Sequence, residues 1–314
     1  LDAAPALPGL GGRIARLVVK PPSPVFDGLK HVVMELMRNV VQHSDLRDDF
    51  GTGVVAAQVI EREGVSKRVQ IAIADTGIGI LAGLTQRQMH RDISNVQTAL
   101  SNATLPHFSG RFREGQTGTD QNAGLGLYIV SELAKITGGS FLLASRGDAL
   151  LVRGDITLAN ERHQFIDNGG YPGTLVVFET VEPTLNDYAA LLQSILHRAK
   201  ARSVDVDKEP ATGIVAFVKT TPHDAKRFIV AAAGENIEAA RAFARGSLVP
   251  ALSASVPVAL DFVNWTAFSQ SYLHALLFVA IRVAWATKTQ LFVVNASPVV
   301  RTSIEYVESY ALAA

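Results

Sequence analysis

A single amphipathic segment near the start of the chain constrains the fold more than any other feature. Its apolar residues recur at helical spacing, at Val32, Val33, Leu36, Met37, Val40 and Val41. Within this pattern Glu35 and Asn39 are four residues apart, so on a helix both side chains project from one face. An amide oxygen can ligate a Mg²⁺ ion that bridges phosphates, and a carboxylate can orient a water or hydroxyl for attack on phosphorus. The spacing therefore predicts a helix that presents a nucleotide-handling pair to a pocket.

Two glycine-containing segments follow this helix, and they strengthen the interpretation. The first is Asp75-Thr76-Gly77-Ile78-Gly79 and the second is Gly124-Leu125-Gly126-Leu127. Together the three segments resemble the GHKL ATP-binding domain of type II topoisomerases, heat-shock chaperones, mismatch-repair ATPases, sensor histidine kinases and anti-sigma-factor serine kinases. The likeness extends from Pro24 to Val181. It implies that the N-terminal part of the chain is a two-layer α/β sandwich, the Bergerat ATP-binding fold.

The resemblance also implies a role for each matched residue. Asn39 corresponds to the family's Mg²⁺ ligand, and Glu35 corresponds to its catalytic carboxylate. Asp75 corresponds to the aspartate that accepts a hydrogen bond from the adenine amino group. The remaining matches are nucleotide-contacting glycine-box residues and the threonine that supports adenine, namely Gly77, Gly79, Gly124, Leu125, Gly126, Leu127 and Thr174. ATP and Mg²⁺ are the cofactors that these matches imply.

The composition excludes several other classes of function. The chain has 29 basic and 29 acidic residues, so its charge gives no reason to expect a nucleic acid or an anionic membrane as partner. It has no cysteine, which excludes disulfides, thiolate metal sites and a thiol nucleophile. The longest apolar run, Ala275 to Ala286, is interrupted by Arg282 and is too short to span a bilayer. We expect a cytoplasmic protein whose start, which lacks a methionine, has been trimmed or processed.

Local patterns predict the other N-terminal elements. Arg13–Lys20 is predicted to be an edge strand, closed by prolines that stop any helix before the Glu35 helix. Asp27 is the predicted N-cap of that helix, and residues 53–74 are predicted to form a hairpin that turns at Glu63-Gly64. Residues 81–123 are long, polar and irregular. We interpret them as the ATP lid, with a flexible insertion as the alternative.

The second half of the chain has a different organisation. We predict an ATP-binding domain over residues 1–182, a helix and linker over 183–212, and a second domain over 213–314. In this second domain strands alternate with helices, which predicts a parallel sheet. The segment from Asp261 to Tyr272 follows a strand and opens a helix. It resembles the central segment of STAS-like α/β domains.

The STAS-like resemblance singles out two serines near the start of that helix. In anti-anti-sigma factors, which carry such domains, a GHKL kinase phosphorylates a serine at this helix N-terminus. Ser271 and Ser269 are therefore candidate phosphoacceptors, although the family's usual aspartate two residues before the serine is Ser269 here. An N-cap role is the alternative for either serine. We expect Ser271 to be an exposed chemical handle.

Three hypotheses about function follow, and the sequence leaves them open. The first is a Mg²⁺-dependent ATP-binding protein that hydrolyses ATP or transfers its γ-phosphate, with the STAS-like module serving regulation or partner docking. The second is a protein serine kinase resembling anti-sigma factors in a partner-switch system. The third is a non-catalytic, ATP-gated interaction protein. A sensor histidine kinase is disfavoured, because no helical hairpin with a phosphoacceptor histidine precedes the ATP domain. A protein partner is expected through the STAS-like domain, and a homodimer is left open. His43, which closes the amphipathic helix, is interpreted as structural.

Overall fold

An antiparallel sheet of six strands forms one layer of the N-terminal half in the computed structural model. The structure describes residues 7–43, 53–85, 90–108, 124–154, 162–167, 171–202, 213–230, 236–265 and 268–312. The sheet has the order β1-β2-β6-β3-β4-β5, with β1 Gly53–Arg62, β2 Val65–Asp75, β3 Ser140–Ser145, β4 Asp148–Arg153, β5 Arg162–Asp167 and β6 Thr174–Val181. Along β2 every second side chain is buried, at Val69, Ile71 and Ile73. The sheet thus offers one apolar face to a second layer.

Helices form that second layer. They are α1 Leu7–Val18, α2 Pro24–His43, α3 Ile80–Thr85, α4 Val96–Ala103 and α5 Gly126–Ile136. The helical spacing in α2 buries Val32, Val33 and Leu36, and the apolar face of α5 packs beside it. The predicted two-layer α/β sandwich is confirmed.

The start of the chain differs from the prediction, because Arg13–Lys20 belongs mainly to helix α1 and not to an edge strand. Ile14 and Val18, four residues apart, are buried on one face, while Arg13 and Arg16 are exposed on the other. The strand prediction was wrong because this four-residue spacing prevails over the β-branched content of the segment.

The predicted N-cap of α2 was also wrong. The helix starts at Pro24, and the hydroxyl of Ser23 accepts a hydrogen bond from the amide of Phe26 at 3.0 Å. A proline suits the first helical position because its nitrogen has no hydrogen that needs an acceptor. Ser23 therefore caps the helix. Asp27 lies inside the first turn, where its negative charge interacts favourably with the positive end of the helix dipole.

The hairpin prediction is confirmed, and the expectation that residues 81–123 are irregular needs correction. Gly64 turns between β1 and β2 with a φ of 72°. The segment expected to be irregular contains α3 and α4, and Asn95 caps α4 by accepting from the amide of Thr98 at 2.8 Å. Residues 86–89 and 109–123 of the predicted lid lie outside the described part of the chain.

The C-terminal half contains a parallel four-stranded sheet, as the alternation of strands and helices predicts. Its order is β7-β10-β9-β8, with β7 Val215–Val218, β8 Lys226–Ile229, β9 Val258–Asp261 and β10 Leu291–Val294. Its helices are α7 Ile237–Phe243, α8 Val249–Ser253, α9 Gln270–Thr287 and α10 Pro298–Ala311, with a π-helical turn at Ala244–Leu248. The helix α9 is buried along most of its length and forms the centre of this half.

The two halves share a continuous apolar core. A 3₁₀ turn at Glu182–Asp187 leads into α6 Tyr188–Arg202, which contacts α2 and α5 as well as α10. Its side chains Leu192 and Ile195 are fully buried within that core. The helix predicted to leave the first domain therefore joins the two halves. In the described residues, we find no helix with the length and apolarity needed to cross a membrane.

Candidate functional site

A cavity lies between α2, the end of β2 and the start of α5. Most of the predicted site residues line it together, namely Glu35, Asn39, Asp75, Gly79, Gly124, Leu125, Gly126, Leu127 and Thr174. Gly77 does not line the cavity and instead supports Asp75. Ser271, at the start of α9, also lines the cavity, although it is more than 230 positions from Glu35 in the chain. The structure thus brings residues from both halves of the chain into one site.

Asp75 marks one end of this cavity. It is the last residue of β2 and pairs with Thr174 at the start of β6. The amide of Gly77 donates to its Oδ1 at 2.8 Å, and the side chain is buried. Burial raises the pKa of the Asp75 carboxyl above its ordinary value, and hydrogen bonds from the amides of Gly77 and Thr174 partly oppose this shift. A buried oxygen is thereby fixed where a ligand's amino group can donate to it.

Arg146 holds the glycine-containing loop that follows Asp75. Its Nη2 donates to the carbonyl of Gly77 at 2.9 Å and its Nε donates to the carbonyl of Ile78 at 3.1 Å. Gly79 has a φ of 79°, and an added Cβ there would lie 2.7 Å from the Arg146 side chain. Sequence reasoning missed Arg146, because a lone arginine after a strand carries no motif.

The turn before β6 closes against the same loop. The hydroxyl of Tyr171 donates to the carbonyl of Asp75 at 3.1 Å. A Cβ on Gly173 would lie 2.0 Å from that carbonyl oxygen, so only glycine fits this approach without a shift of the backbone. The tripeptide Pro172-Gly173-Thr174 thus sets the distance between β2 and β6 at this end of the cavity.

Glu35 marks the other end of the cavity. The residue is 1 % exposed, and its Oε1 accepts a hydrogen bond from the amide of Gln270 at 2.9 Å. His31 Nε2 and Arg38 Nη1 lie 3.5 Å and 3.8 Å from the same oxygen. Burial raises the pKa of Glu35, but His31, Arg38 and the Gln270 amide outweigh it and leave the pKa below the ordinary value. The carboxylate is therefore held in its ionised form.

The second carboxylate oxygen of Glu35 points toward α5. A Cβ added to Gly126 would lie 2.9 Å from Oε2, so the absence of a side chain at Gly126 leaves room for this oxygen. The α5 helix has no side-chain cap, because its N-cap residue is Leu125. Unpaired amides at a helix start attract anions. Gly126 thus places a carboxylate oxygen beside a site suited to phosphate.

His31 is itself held from the opposite side. The hydroxyl of Tyr188 and His31 Nδ1 form a short hydrogen bond, and both side chains are buried. Burial raises the pKa of the Tyr188 phenol well above its ordinary value, and the negative charge of Glu35 adds to the shift. Tyr188, His31 and Glu35 thus form a buried row of polar side chains. Sequence reasoning missed both partners, although the spacing of His31 four residues before Glu35 on the same helix face is a usable signal.

Asn39 has the chemistry of a magnesium ligand. Its Nδ2 is buried with no hydrogen-bond partner in the described part of the chain, so the protein leaves the side-chain amide uncommitted. Among the described residues, no group of three His, Cys, Asp or Glu side chains forms a metal site. An ion here would be held by Asn39 together with phosphate oxygens and water, which is how proteins usually bind Mg²⁺ with nucleotides.

The two candidate serines have different roles. The hydroxyl of Ser269 accepts from the amide of Tyr272 at 3.3 Å, so Ser269 is the N-cap of α9. Ser271 is 9 % exposed and faces the cavity. The expectation that Ser271 is an exposed handle was wrong, because the C-terminal half packs over the N-terminal half at this point. His43 ends α2, and its side chain lies outside the described residues.

Comparison with known proteins accounts for the N-terminal part of this site. Residues 25–179 match the family described as histidine kinase-, DNA gyrase B-, and HSP90-like ATPase. These residues form a GHKL-type ATPase domain. The match extends from α2 into β6 and so includes Glu35, Asn39 and Asp75. It supports a GHKL-type ATP-binding protein. No curated protein matches the chain.

Proposed function

We propose that the protein binds Mg²⁺–ATP in this cavity and cleaves its terminal phosphate. The observation that carries the proposal is that Glu35, Asn39 and Asp75 line one cavity inside the matched ATPase domain. The adenine amino group donates to Asp75, and the phosphates extend toward Glu35 and Gly126. ATP is preferred over GTP, because guanine carries a carbonyl oxygen where adenine carries the amino group.

Glu35 acts as the general base in this proposal. Its Oε1 is occupied by the Gln270 amide, while Oε2 is directed toward Gly126 and the phosphate end. Water attacks the terminal phosphorus, Oε2 takes the water's proton, and the bond between the terminal phosphorus and the bridging oxygen breaks to give ADP and phosphate. Mg²⁺ held by Asn39 would neutralise charge on the phosphate oxygens. The closed, buried surroundings of Glu35 exclude competing water.

Ser271 supports a second candidate, in which the phosphate acceptor is this chain itself. Its side chain lines the same cavity as Glu35. In this reaction the Ser271 Oγ forms a bond to the terminal phosphorus, ADP leaves, and Glu35 receives the hydroxyl proton. This version corresponds to the protein serine kinase hypothesis, with a STAS-like module for regulation or partner docking. A non-catalytic, ATP-gated role is the third candidate.

Labelled ATP distinguishes the three candidates. The full chain is incubated with γ-labelled ATP and Mg²⁺, with an EDTA-treated sample as control. Free labelled phosphate indicates hydrolysis, and label on the protein that Ser271→Ala removes indicates transfer to Ser271. Intact ATP that is nevertheless bound, as measured by titration calorimetry, indicates the non-catalytic role. Absence of ATP binding overturns the proposal.

A further inference from the structure

The matched ATPase domain ends at residue 179, yet the catalytic carboxylate makes its shortest polar contact outside that domain. The donor is the main-chain amide of Gln270, 235 positions away in the sequence, at 2.9 Å from Glu35 Oε1. Gln270 is the first residue of α9 and is itself buried. An amide at the first helical position has no acceptor within its own helix. The carboxylate of Glu35 supplies that acceptor.

The next residue of α9 is oriented toward the cavity and has unused hydrogen-bonding groups. Ser271 is 91 % buried, since 9 % of its surface is exposed, and it lines the cavity with Asn39 and Gly126. Within the described part of the chain its hydroxyl has no hydrogen-bond partner. Its amide, second in the helix, likewise has no acceptor within α9. The hydroxyl of Ser271 is therefore available to a ligand in the cavity.

The first turn of α9 is held firmly by its surroundings. The ring of Phe268 stacks against those of Trp265 and Tyr272, with centroid distances of 3.8 Å and 5.0 Å. The indole nitrogen of Trp265 donates to the carbonyl of Val230 at 2.9 Å. The Gln270 side chain donates to the carbonyl of Ser303 in α10 at 3.2 Å. These contacts fix the direction in which the amides of the turn point.

We propose that the first turn of α9 completes the ATP site from the C-terminal half of the chain. The Gln270 amide positions Glu35, and the amide and hydroxyl of Ser271 bind the terminal phosphate of ATP. Helix N-termini bind phosphate because their free amides and the helix dipole both favour an anion. Gln270 is thus a positioning residue, and Ser271 distinguishes ATP from ADP. This inference rests on the proposed function, because it concerns the same cavity.

The Ser271 part is tested by comparing two nucleotides. Affinities for ADP and for a non-hydrolysable ATP analogue are measured by titration calorimetry with Mg²⁺ present. Ser271→Ala should weaken analogue binding by about tenfold to a hundredfold, the usual effect of losing a hydrogen bond to a charged group, and should leave ADP binding in place. The matched control is Ser269→Ala, which removes a hydroxyl that caps the same turn but does not line the cavity. It should preserve the ratio of the two affinities.

The Gln270 part is tested with a pair of variants at that residue. Gln270→Pro removes the amide hydrogen, and Gln270→Ala removes only the side chain. Proline suits this position because it is the first of a helix and Ser269 before it is extended, with φ −69° and ψ 145°. We expect kcat of the proline variant to be about tenfold or more below that of the alanine variant, with similar KM, since misplaced catalytic groups cost rates of this order.

The outcomes separate this inference from the proposed function. If the parent protein binds neither ADP nor the analogue, the proposed function fails. If the parent binds both nucleotides and Ser271→Ala weakens them equally or not at all, the α9 inference is overturned while ATP binding stands. Equal kcat values in the two Gln270 variants overturn the positioning role. ADP affinity and melting temperature, measured for every variant, identify one that has not folded.

Discussion

The two ends of the cavity are built in different ways. At the Asp75 end, the supporting contacts come from one sheet and its loops, through Gly77, Arg146 and Tyr171. At the Glu35 end, the contacts come from three separate segments, namely α2, the start of α6 and the start of α9. In the proposed function, the Asp75 end binds the base and is built by the N-terminal domain alone, whereas the Glu35 end carries the phosphate chemistry and depends on how the two halves pack. Control by the C-terminal half would act on turnover more than on adenine binding.

The largest expected effect is at the phosphate end. Glu35→Gln should lower kcat by about a hundredfold to ten-thousandfold, the range that general-base catalysis usually contributes, and should retain nucleotide binding. Asn39→Ala is the contrasting variant, because it should lose the part of the ATP affinity that depends on Mg²⁺. Phosphate release and calorimetric affinity with and without Mg²⁺ measure both. Unchanged phosphate release in Glu35→Gln would show that another group is the base.

A smaller effect is expected at the Asp75 end of the cavity. It should change the affinity for ATP and not the rate of turnover. Asp75→Asn should weaken ATP binding by about tenfold to a hundredfold, because a mismatched buried hydrogen bond costs about 1–3 kcal/mol. The nucleotide-free protein should not become less stable, since burial raises the pKa of Asp75 and asparagine retains an oxygen for the Gly77 amide. Calorimetry and thermal unfolding test the two statements. Equal ATP affinity in the parent and the variant would remove Asp75 from the site.

A more modest effect is expected in the buried row of polar side chains formed by Tyr188, His31 and Glu35. Tyr188→Phe leaves His31 Nδ1 without its partner in a buried position and should lower the free energy of unfolding by about 1–3 kcal/mol. It should also lower kcat by about tenfold or less, because His31 still lies beside Glu35. Urea unfolding and steady-state kinetics measure these changes. A loss of stability with kcat unaffected would make the tyrosine purely structural.

The smallest expected effect concerns pH. Because the pKa of Glu35 is lowered in the folded protein by His31, Arg38 and the Gln270 amide, its ionised form stabilises the fold. This contribution is fully present above the pKa of an unfolded glutamate and is lost as the pH falls through the lower folded value. The stability difference between the parent and Glu35→Gln should therefore shrink as the pH falls through this acidic range. A difference that stays constant with pH in urea unfolding would contradict the assignment.

Sequence reasoning anticipated the surroundings of Asp75 better than those of Glu35, for a physical reason. Asp75, Gly77 and Thr174 are fixed by strand ends and turns, which are encoded over short stretches of chain. The contact from Gln270 to Glu35 depends on how the two halves of the chain pack together, and no local pattern encodes such packing. Ser271 was identified through its helix start, but its burial arises from that same packing.

The contrast between local sequence signals and packing also explains the errors in the predicted fold. Helix α1 was missed because its β-branched residues resemble those of a strand, although Ile14 and Val18 follow a helical spacing. Ser23 was missed as a cap because the prolines around it were interpreted only as stops. Both errors concern short segments where local propensity competes with packing.

A crystal structure with Mg²⁺ and a non-hydrolysable ATP analogue tests the central claim most directly. The account predicts adenine against Asp75, the terminal phosphate between Gly126 and the first turn of α9, and the Gln270 amide still in contact with Glu35. A nucleotide bound with its terminal phosphate remote from Ser271, or with α9 displaced from Glu35, would contradict the claim that both halves of the chain build the phosphate end.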